Sequence, residues 1–146
     1  MIHPKYIRTN RLIALFVLVL SFLGYYDTMA PSVSYWDCGE FIAVSYTLGV
    51  PHPPGSPLFL LLGRIASLLP FSQDIAFRVN LLSPLSSAFA VFFLYLMIVQ
   101  VVNHWRGKID TSRDALIAFG AGTVGSLTFA FTDSHWFNAV EAEVYA

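Results

Sequence analysis

Long apolar blocks, rather than an amphipathic repeat, dominate the order of hydrophobic and polar positions along this chain. Residues 79–103 carry no charged side chain, which exceeds the roughly 20 residues that a helix needs to cross a bilayer core. Residues 115–132 are just long enough. Residues 12–26 are shorter, but Arg11 and Asp27 at their ends can reach the two interfaces. The pattern predicts transmembrane helices at about 11–29, 80–103 and 114–132.

The first apolar block has two interpretations. Lys5, Arg8 and Arg11 precede it, as basic residues precede the apolar core of a secretory signal. Cleavage after residues 28–30 would fall immediately before Pro31, which is an unfavourable position. The pattern therefore favours an uncleaved first span.

The basic residues predict the orientation of these spans. Lys and Arg concentrate on the cytoplasmic side of membrane proteins. The segments before the first span and between the last two should therefore both be cytoplasmic, which requires an even number of crossings between them. The apolar residues 56–69 should then not cross, and residues 30–79 form an outer loop with helices at about 36–48 and 57–69. Ser56 and Pro57 are the predicted N-cap and first residue of the second of these helices. Six of the eight basic residues support this layout: Lys5, Arg8, Arg11, Arg106, Lys108 and Arg113.

Composition agrees with a membrane protein and excludes several function classes. Hydrophobic residues make up 56% of the chain and charged residues 12%, whereas charged residues reach about a quarter of a soluble domain. A net charge of −1 gives no basic surface for nucleic acid. The single cysteine, Cys38, excludes an internal disulfide. The predicted class is an all-α membrane protein.

Two carboxylates in the outer loop are the strongest candidates for chemistry. Ser34 is predicted to cap a helix, with Asp37 in the capping-box position, and Gly49 is predicted to end that helix. Asp37 and Glu40 then share one helical face beside the membrane. They are the predicted catalytic residues. The alternative is that Asp37 only caps the helix and Glu40 is a solvated surface acid.

Further polar residues are candidates for substrate binding. His52 lies in the proline-rich residues 50–57, a stiff extended segment that we call the strut. It could act as a base, bind phosphate or ligate a metal, or simply bond a nearby carbonyl. Arg64 and Arg78 could grip a lipid phosphate, or pair with acids and headgroups instead. The set of predicted binding residues is His52, Arg64, Arg78, Trp136, Glu141 and Glu143.

No cofactor is predicted, and no metal-ligand spacing motif is present. A divalent cation is a minority interpretation, because hard ions take carboxylates and Glu141 and Glu143 could join Asp37 or Glu40 around one. Such sharing requires an extended backbone at residues 141–143, so that both side chains point the same way.

Four blocks of the chain resemble one known family: residues 35–40, 48–55, 77–83 and 136–145. It is a bacterial membrane family long labelled a domain of unknown function, which is similar to the transmembrane protein O-mannosyltransferases and to the wider GT-C glycosyltransferases. The resemblance implies a polytopic fold in the bacterial inner membrane, with a cytoplasmic N-terminus and a site facing the periplasm or exterior. It also implies that the acid matching Asp37 is the general base.

The expected function follows from this resemblance. Residues 1–146 are interpreted as the N-terminal part of one GT-C-like domain, which by itself should be inactive because later spans would be missing. The full-length protein should move a mannose-like sugar from a polyprenyl-phosphate donor to a hydroxyl of a protein or glycan acceptor. The alternative is a non-catalytic transporter or assembly subunit. A transporter is expected to show ionisable residues buried in the middle of its spans or helices broken at the midplane, and the three predicted spans are expected to have neither.

Overall fold

The computed structural model describes residues 3–144, and this part of the chain contains seven helices and no β-strand. The predicted all-α membrane class is therefore confirmed. The helices are α1 (Pro4–Thr28), α2 (Cys38–Thr47), α3 (Pro57–Leu68), α4 (Ile75–Asn80), α5 (Leu82–Arg106), α6 (Ser112–Ala130) and α7 (Asp133–Ala139).

Two helical stretches within residues 3–144 are long and apolar enough to cross a membrane. They are Pro4–Thr28, with a mean hydropathy of 1.6, and Ile75–Arg106, with 2.2. A third is present if α6 and α7 together count as one broken span. Helix α1 begins before the predicted start at residue 11, because Lys5 and Arg8 are good helix formers and Pro4 is suited to the first helical position. Helices α4 and α7 were not predicted.

One compact unit comprises residues 1–23 and 88–132. Its helices approach closely at Gly122, where an added Cβ would lie 2.8 Å from Val99 Cγ2 and 2.9 Å from Tyr95 Cε2. The Tyr95 hydroxyl donates a hydrogen bond of 2.9 Å to Asn10 Oδ1. The absence of a side chain at Gly122 thus permits α6 to pack closely against Tyr95 and Val99 of α5.

The other compact unit comprises residues 24–87 and 133–146, and contains the predicted outer loop. Its core is a cluster of five buried residues, against which Phe59 and Ile75 pack: Cys38, Ile42, Ala76, Val79 and Ala142. The Asn80 side chain donates hydrogen bonds of 2.9 Å and 2.8 Å to the carbonyls of Ala30 and Ser32. This unit carries the candidate site. Tyr145, in the last block of the resemblance, lies outside the described residues.

Candidate functional site

The candidate site begins at the N-terminus of α2, where the structure corrects one prediction. Helix α2 starts at Cys38, and Asp37 occupies the N-cap position without a side-chain capping bond. Trp36 has a φ of 60°, a left-handed conformation that turns the chain just before the helix. Ser34 is therefore outside the helix, and the predicted capping box is wrong. The Ser34 hydroxyl instead donates to Glu141 Oε2 at 2.5 Å.

The carboxylates of α2 meet the proline-rich strut at His52. The backbone N–H of His52 donates to Glu40 Oε1 at 2.8 Å, and the Nδ1 atom lies 2.7 Å from Glu40 Oε2. The other ring nitrogen, Nε2, lies 3.9 Å from Asp37 Oδ2. The Phe41 ring contacts the imidazole at a tilt of 43°, with ring centroids 6.0 Å apart. Glu40 thus fixes both the backbone and the side chain of His52.

This contact changes the charge state of both partners. Hydrogen bonds from the His52 side chain and backbone hold the pKa of Glu40 below its usual value. The hydrogen bond and the charge of Glu40 raise the pKa of His52, and the charges of Asp37 and Glu143 act in the same direction. Since both side chains are substantially exposed, solvent weakens the pair. The pair is an ionised carboxylate beside an imidazole that favours its protonated form.

A polar cavity of about 190 Å³ opens beside these groups. Asp37 and His52 line it from one side, and Glu143 lines it from the later segment. The described lining contains no Lys or Arg. The residues that line the cavity are Asp37, Phe41, His52, Pro54, Gly55, Ser56, Glu143 and Val144.

A second, more apolar cavity of about 370 Å³ adjoins the first, because Ser56 and Val144 line both. Helix α3 forms much of its wall. Ser56 is the N-cap of that helix and Pro57 its first residue, as the sequence predicted, although the serine side chain makes no capping bond. The remaining lining residues are Leu58, Phe59, Leu62 and Ser86. A polar cavity and an apolar cavity therefore lie side by side.

The described residues include one group that could hold a metal ion. One ligand atom each from Asp37, Glu40 and His52 lie within 4.8 Å of one another. Carboxylate oxygens and an imidazole nitrogen suit a divalent cation. Glu141 does not join this group, and it was one of the acids that sequence reasoning placed around an ion.

The two acids after α7 point to different partners. Residues 140–142 are bends rather than the extended backbone that would aim both side chains alike. Glu141 is 8% exposed and accepts the hydrogen bond from Ser34. Glu143 Oε1 accepts from the N–H of Val144 at 2.8 Å, and its side chain reaches the polar cavity.

The remaining predicted residues lie apart from the polar cavity. The Arg64 guanidinium donates to the backbone carbonyl of Tyr46. Its Cζ atom lies 5.6 Å from the centroid of the Tyr46 ring. Arg78 donates to the carbonyls of Ser72 and Ser67 at 2.6 Å and 2.7 Å. Trp136 makes an edge-to-face contact with the Tyr25 ring, at 5.2 Å between centroids. The site thus gathers Asp37, Glu40, His52 and Glu143 from the predicted set.

Sequence reasoning missed the residues that organise the loop around the cavity. Asn80 holds the start of the loop by its two hydrogen bonds, and the Ser34 hydroxyl bonds the Glu141 side chain. Asn80 belongs to one of the four blocks of the resemblance, which was the signal available. Its partners, fifty residues earlier, gave no local signal.

The fold and the site together define a helical membrane protein with an acidic cavity in its second unit. Comparison with known families makes this more specific. The model of the protein O-mannosyl-transferase TMEM260 N-terminal domain matches residues 37–146, so the chain belongs to that family. This confirms the resemblance to transmembrane O-mannosyltransferases.

Two curated relatives carry the same name. The protein O-mannosyl-transferase tmem260 of Dictyostelium discoideum is 32% identical over 136 residues, which cover 88% of this chain. The protein O-mannosyl-transferase TMEM260 of Mus musculus is 32% identical over 120 residues, which cover 82%. The chain spans about 15% of the length of each relative. No solved structure matches the chain.

Proposed function

We propose that this chain provides the first outer loop and the general base of a membrane glycosyltransferase. The enzyme transfers a mannose-like sugar from a polyprenyl-phosphate donor to a hydroxyl of a protein or glycan acceptor. One observation carries the proposal: the Asp37 carboxylate lines an acidic cavity within the region that matches an O-mannosyl-transferase family. The names of the two relatives support the transferase class.

In the proposed reaction, Asp37 takes the proton of the acceptor hydroxyl. The acceptor oxygen then forms a bond to the anomeric carbon, while the bond from that carbon to the phosphate oxygen breaks. The lipid phosphate leaves with the electron pair, and the configuration at the anomeric carbon inverts. Such proton transfer requires Asp37 to lie within hydrogen-bond distance of the hydroxyl.

Charge suggests which substrate occupies the polar cavity. Asp37 and Glu143 line it with His52, and the described lining contains no Lys or Arg. An anionic phosphate would be repelled there, whereas a neutral hydroxyl can donate to a carboxylate. We therefore assign the acceptor hydroxyl to this cavity. Glu40 acts through His52, which it holds in place.

The donor phosphate needs cationic or hydrogen-bonding support elsewhere. Arg64 and Arg78 were predicted for this role, with Trp136 in the binding set, and those roles stay predictions. Both arginines bond backbone carbonyls in this structure, so phosphate binding would require each guanidinium to exchange or share those contacts. Each arginine is replaced by lysine in turn, and KM for the donor is measured. A raised KM would support phosphate binding, whereas an unchanged KM would leave the arginine with its bonds to backbone carbonyls.

The proposed site faces the exterior, with a cytoplasmic N-terminus, as the distribution of basic residues predicts. Both named relatives are from eukaryotes, so a bacterial inner membrane remains an expectation from the resemblance. Single cysteines at Gln73 and Ser112, in a Cys38→Ser background, test the orientation. An impermeant thiol reagent should label position 73 in whole cells and spare position 112. The reverse pattern would overturn the layout.

The decisive test of the proposed function is Asp37→Asn in the full-length protein. The amide keeps the shape of the side chain and removes the proton acceptor, so transfer should slow by roughly a hundred- to ten-thousand-fold. Stability should change little, because the Asp37 side chain makes no capping bond. Single-turnover transfer from a polyprenyl-phosphate sugar measures the effect.

A matched control is Asp133→Asn, which removes the same charge in the first turn of α7, outside the described lining of the cavity. It should transfer at the parental rate. Transfer at the parental rate by Asp37→Asn, at matched expression and melting temperature, would contradict the role of Asp37 as general base.

A further inference from the structure

Glu141 is a buried carboxylate that accepts a side-chain hydrogen bond, although it was expected to contact substrate. Its residue is 8% exposed, and the Ser34 hydroxyl donates to Oε2 at 2.5 Å. Cys38, the first residue of α2, is fully buried. A buried carboxylate is tolerated when it is hydrogen-bonded in this way.

This contact joins two segments that are distant in sequence. Glu141 belongs to the segment 140–144 after α7, whereas Ser34 and Cys38 flank the start of α2. The same segment is attached at both ends, since Ala30 N–H donates to the Val140 carbonyl at 2.8 Å. At the other end, the Glu143 N–H donates to Ser83 Oγ at 3.3 Å.

The packing next to Glu141 also attaches the segment 140–144 to the start of α2. Ala142 is fully buried in the core cluster with Cys38. Glu143, one residue further along, then lines the polar cavity with Asp37 and His52. The carboxylate of Glu141 and the methyl group of Ala142 thus hold the segment from which Glu143 reaches the site.

We propose that Glu141 is a positioning residue: its carboxylate docks the segment 140–144 on the start of α2 and so sets Glu143 beside Asp37. Its carboxylate accepts from Ser34, and the substrate-facing acid of this segment is Glu143. The consequence for turnover rests on the proposed function, whereas the docking itself does not.

Cys38 provides a direct readout of docking, because it is the single cysteine of the chain. The probe is N-ethylmaleimide, with the labelling rate followed by mass spectrometry on the purified chain in detergent. In Glu141→Ala, labelling should accelerate about tenfold or more, because the segment 140–144 that packs on Cys38 loses its bond to Ser34, and losing a hydrogen bond to a charged group raises the open population by about that factor. Asp133→Ala removes one exposed acid of the same unit and should label at the parental rate. Parental labelling of Glu141→Ala would overturn the proposal.

A second variant keeps the test decisive if Glu141→Ala loses its fold and labels like the protein in SDS. Glu141→Gln retains an oxygen that can accept from Ser34 but lacks the charge that strengthens that hydrogen bond. Its labelling rate should lie between the parental and the SDS-denatured rates. Either extreme would contradict docking by the carboxylate.

Activity of the full-length protein separates positioning from substrate contact. Ser34→Ala and Glu141→Ala disrupt the same contact, so the double variant should transfer sugar within about twofold of the slower single variant. Losses that multiply would show that the two residues act independently, and that result would overturn the proposal. Absence of transfer in the parent would contradict the proposed function alone, because thiol labelling does not depend on it.

Discussion

The two compact units of this chain are stabilised in different ways. In the unit of residues 1–23 and 88–132, large apolar side chains remain exposed, as expected for lipid-facing helices, and α6 packs through glycine. In the unit of residues 24–87 and 133–146, side chains bond the backbone across long separations, as Asn80 and Arg78 do. Glycine allows a close approach in the second unit too, because a Cβ added at Gly63 would lie 2.8 Å from Ser45 Cβ. The second unit differs in adding side-chain bonds to backbone carbonyls that lie up to 50 residues away.

The largest effect on stability is expected at Gly122. An added Cβ would lie 2.8 Å from Val99 Cγ2 and 2.9 Å from Tyr95 Cε2, so Gly122→Ala should destabilise the chain by about 1–3 kcal/mol. The measurement is the unfolding free energy in detergent. Gly120 is the matched control, because its Cβ would meet nothing within 4 Å. Gly120→Ala should be neutral or stabilise by up to about 1 kcal/mol. Equal effects of the two variants would contradict packing through glycine.

The corresponding test of the polar unit is Asn80→Ala. This change removes the donors to the Ala30 and Ser32 carbonyls and should cost about 2 kcal/mol in unfolding free energy. Asn138→Ala is the control, because its exposed side chain bonds only the Ser134 carbonyl one helical turn away. That control should cost less than about 1 kcal/mol. A cost for Asn80→Ala no larger than that of the control would show that polar contacts do not hold this loop.

The smallest effect is a pH dependence confined to the polar unit. Because the pKa of His52 is raised in the folded protein, its protonated form contributes fully to stability below pH 6.5. That contribution is lost as the pH rises through the raised pKa. Because the pKa of Glu40 is lowered in the folded protein, its ionised form contributes fully to stability above pH 4.5. That contribution is lost as the pH falls through the lowered pKa. Docking of the strut on α2 should therefore be strongest between pH 4.5 and 6.5.

Histidine NMR titration measures this coupling. In Glu40→Gln the pKa of His52 should fall towards its usual value, because the hydrogen bond and charge that raise it are weakened. The His52 signal is identified by its absence in His52→Asn, and the other histidine signals serve as internal controls. An unchanged His52 titration in Glu40→Gln would remove the ion pair from the description of the site.

The sequence determined the features that depend on neighbours along the chain. Charge-free blocks located the spans, and the Ser56-Pro57 pair marked the start of α3. The spacing of Asp37 and Glu40 placed both acids on one side of α2, where His52 meets them. Hydropathy, proline geometry and helical periodicity are local properties, so the order of residues suffices to predict them.

The tertiary structure alone decided which polar groups meet. Glu40 and His52 are 12 residues apart, Asn80 and Ala30 are 50 apart, and Ser34 and Glu141 are 107 apart. Sequence reasoning assigned Ser34 to a helix cap and grouped Glu141 with Glu143, whereas the fold bonds Ser34 to Glu141 and leaves Glu143 at the cavity. A carboxylate or hydroxyl has several possible partners of similar strength, and only the packed backbone determines which of them comes within hydrogen-bond distance.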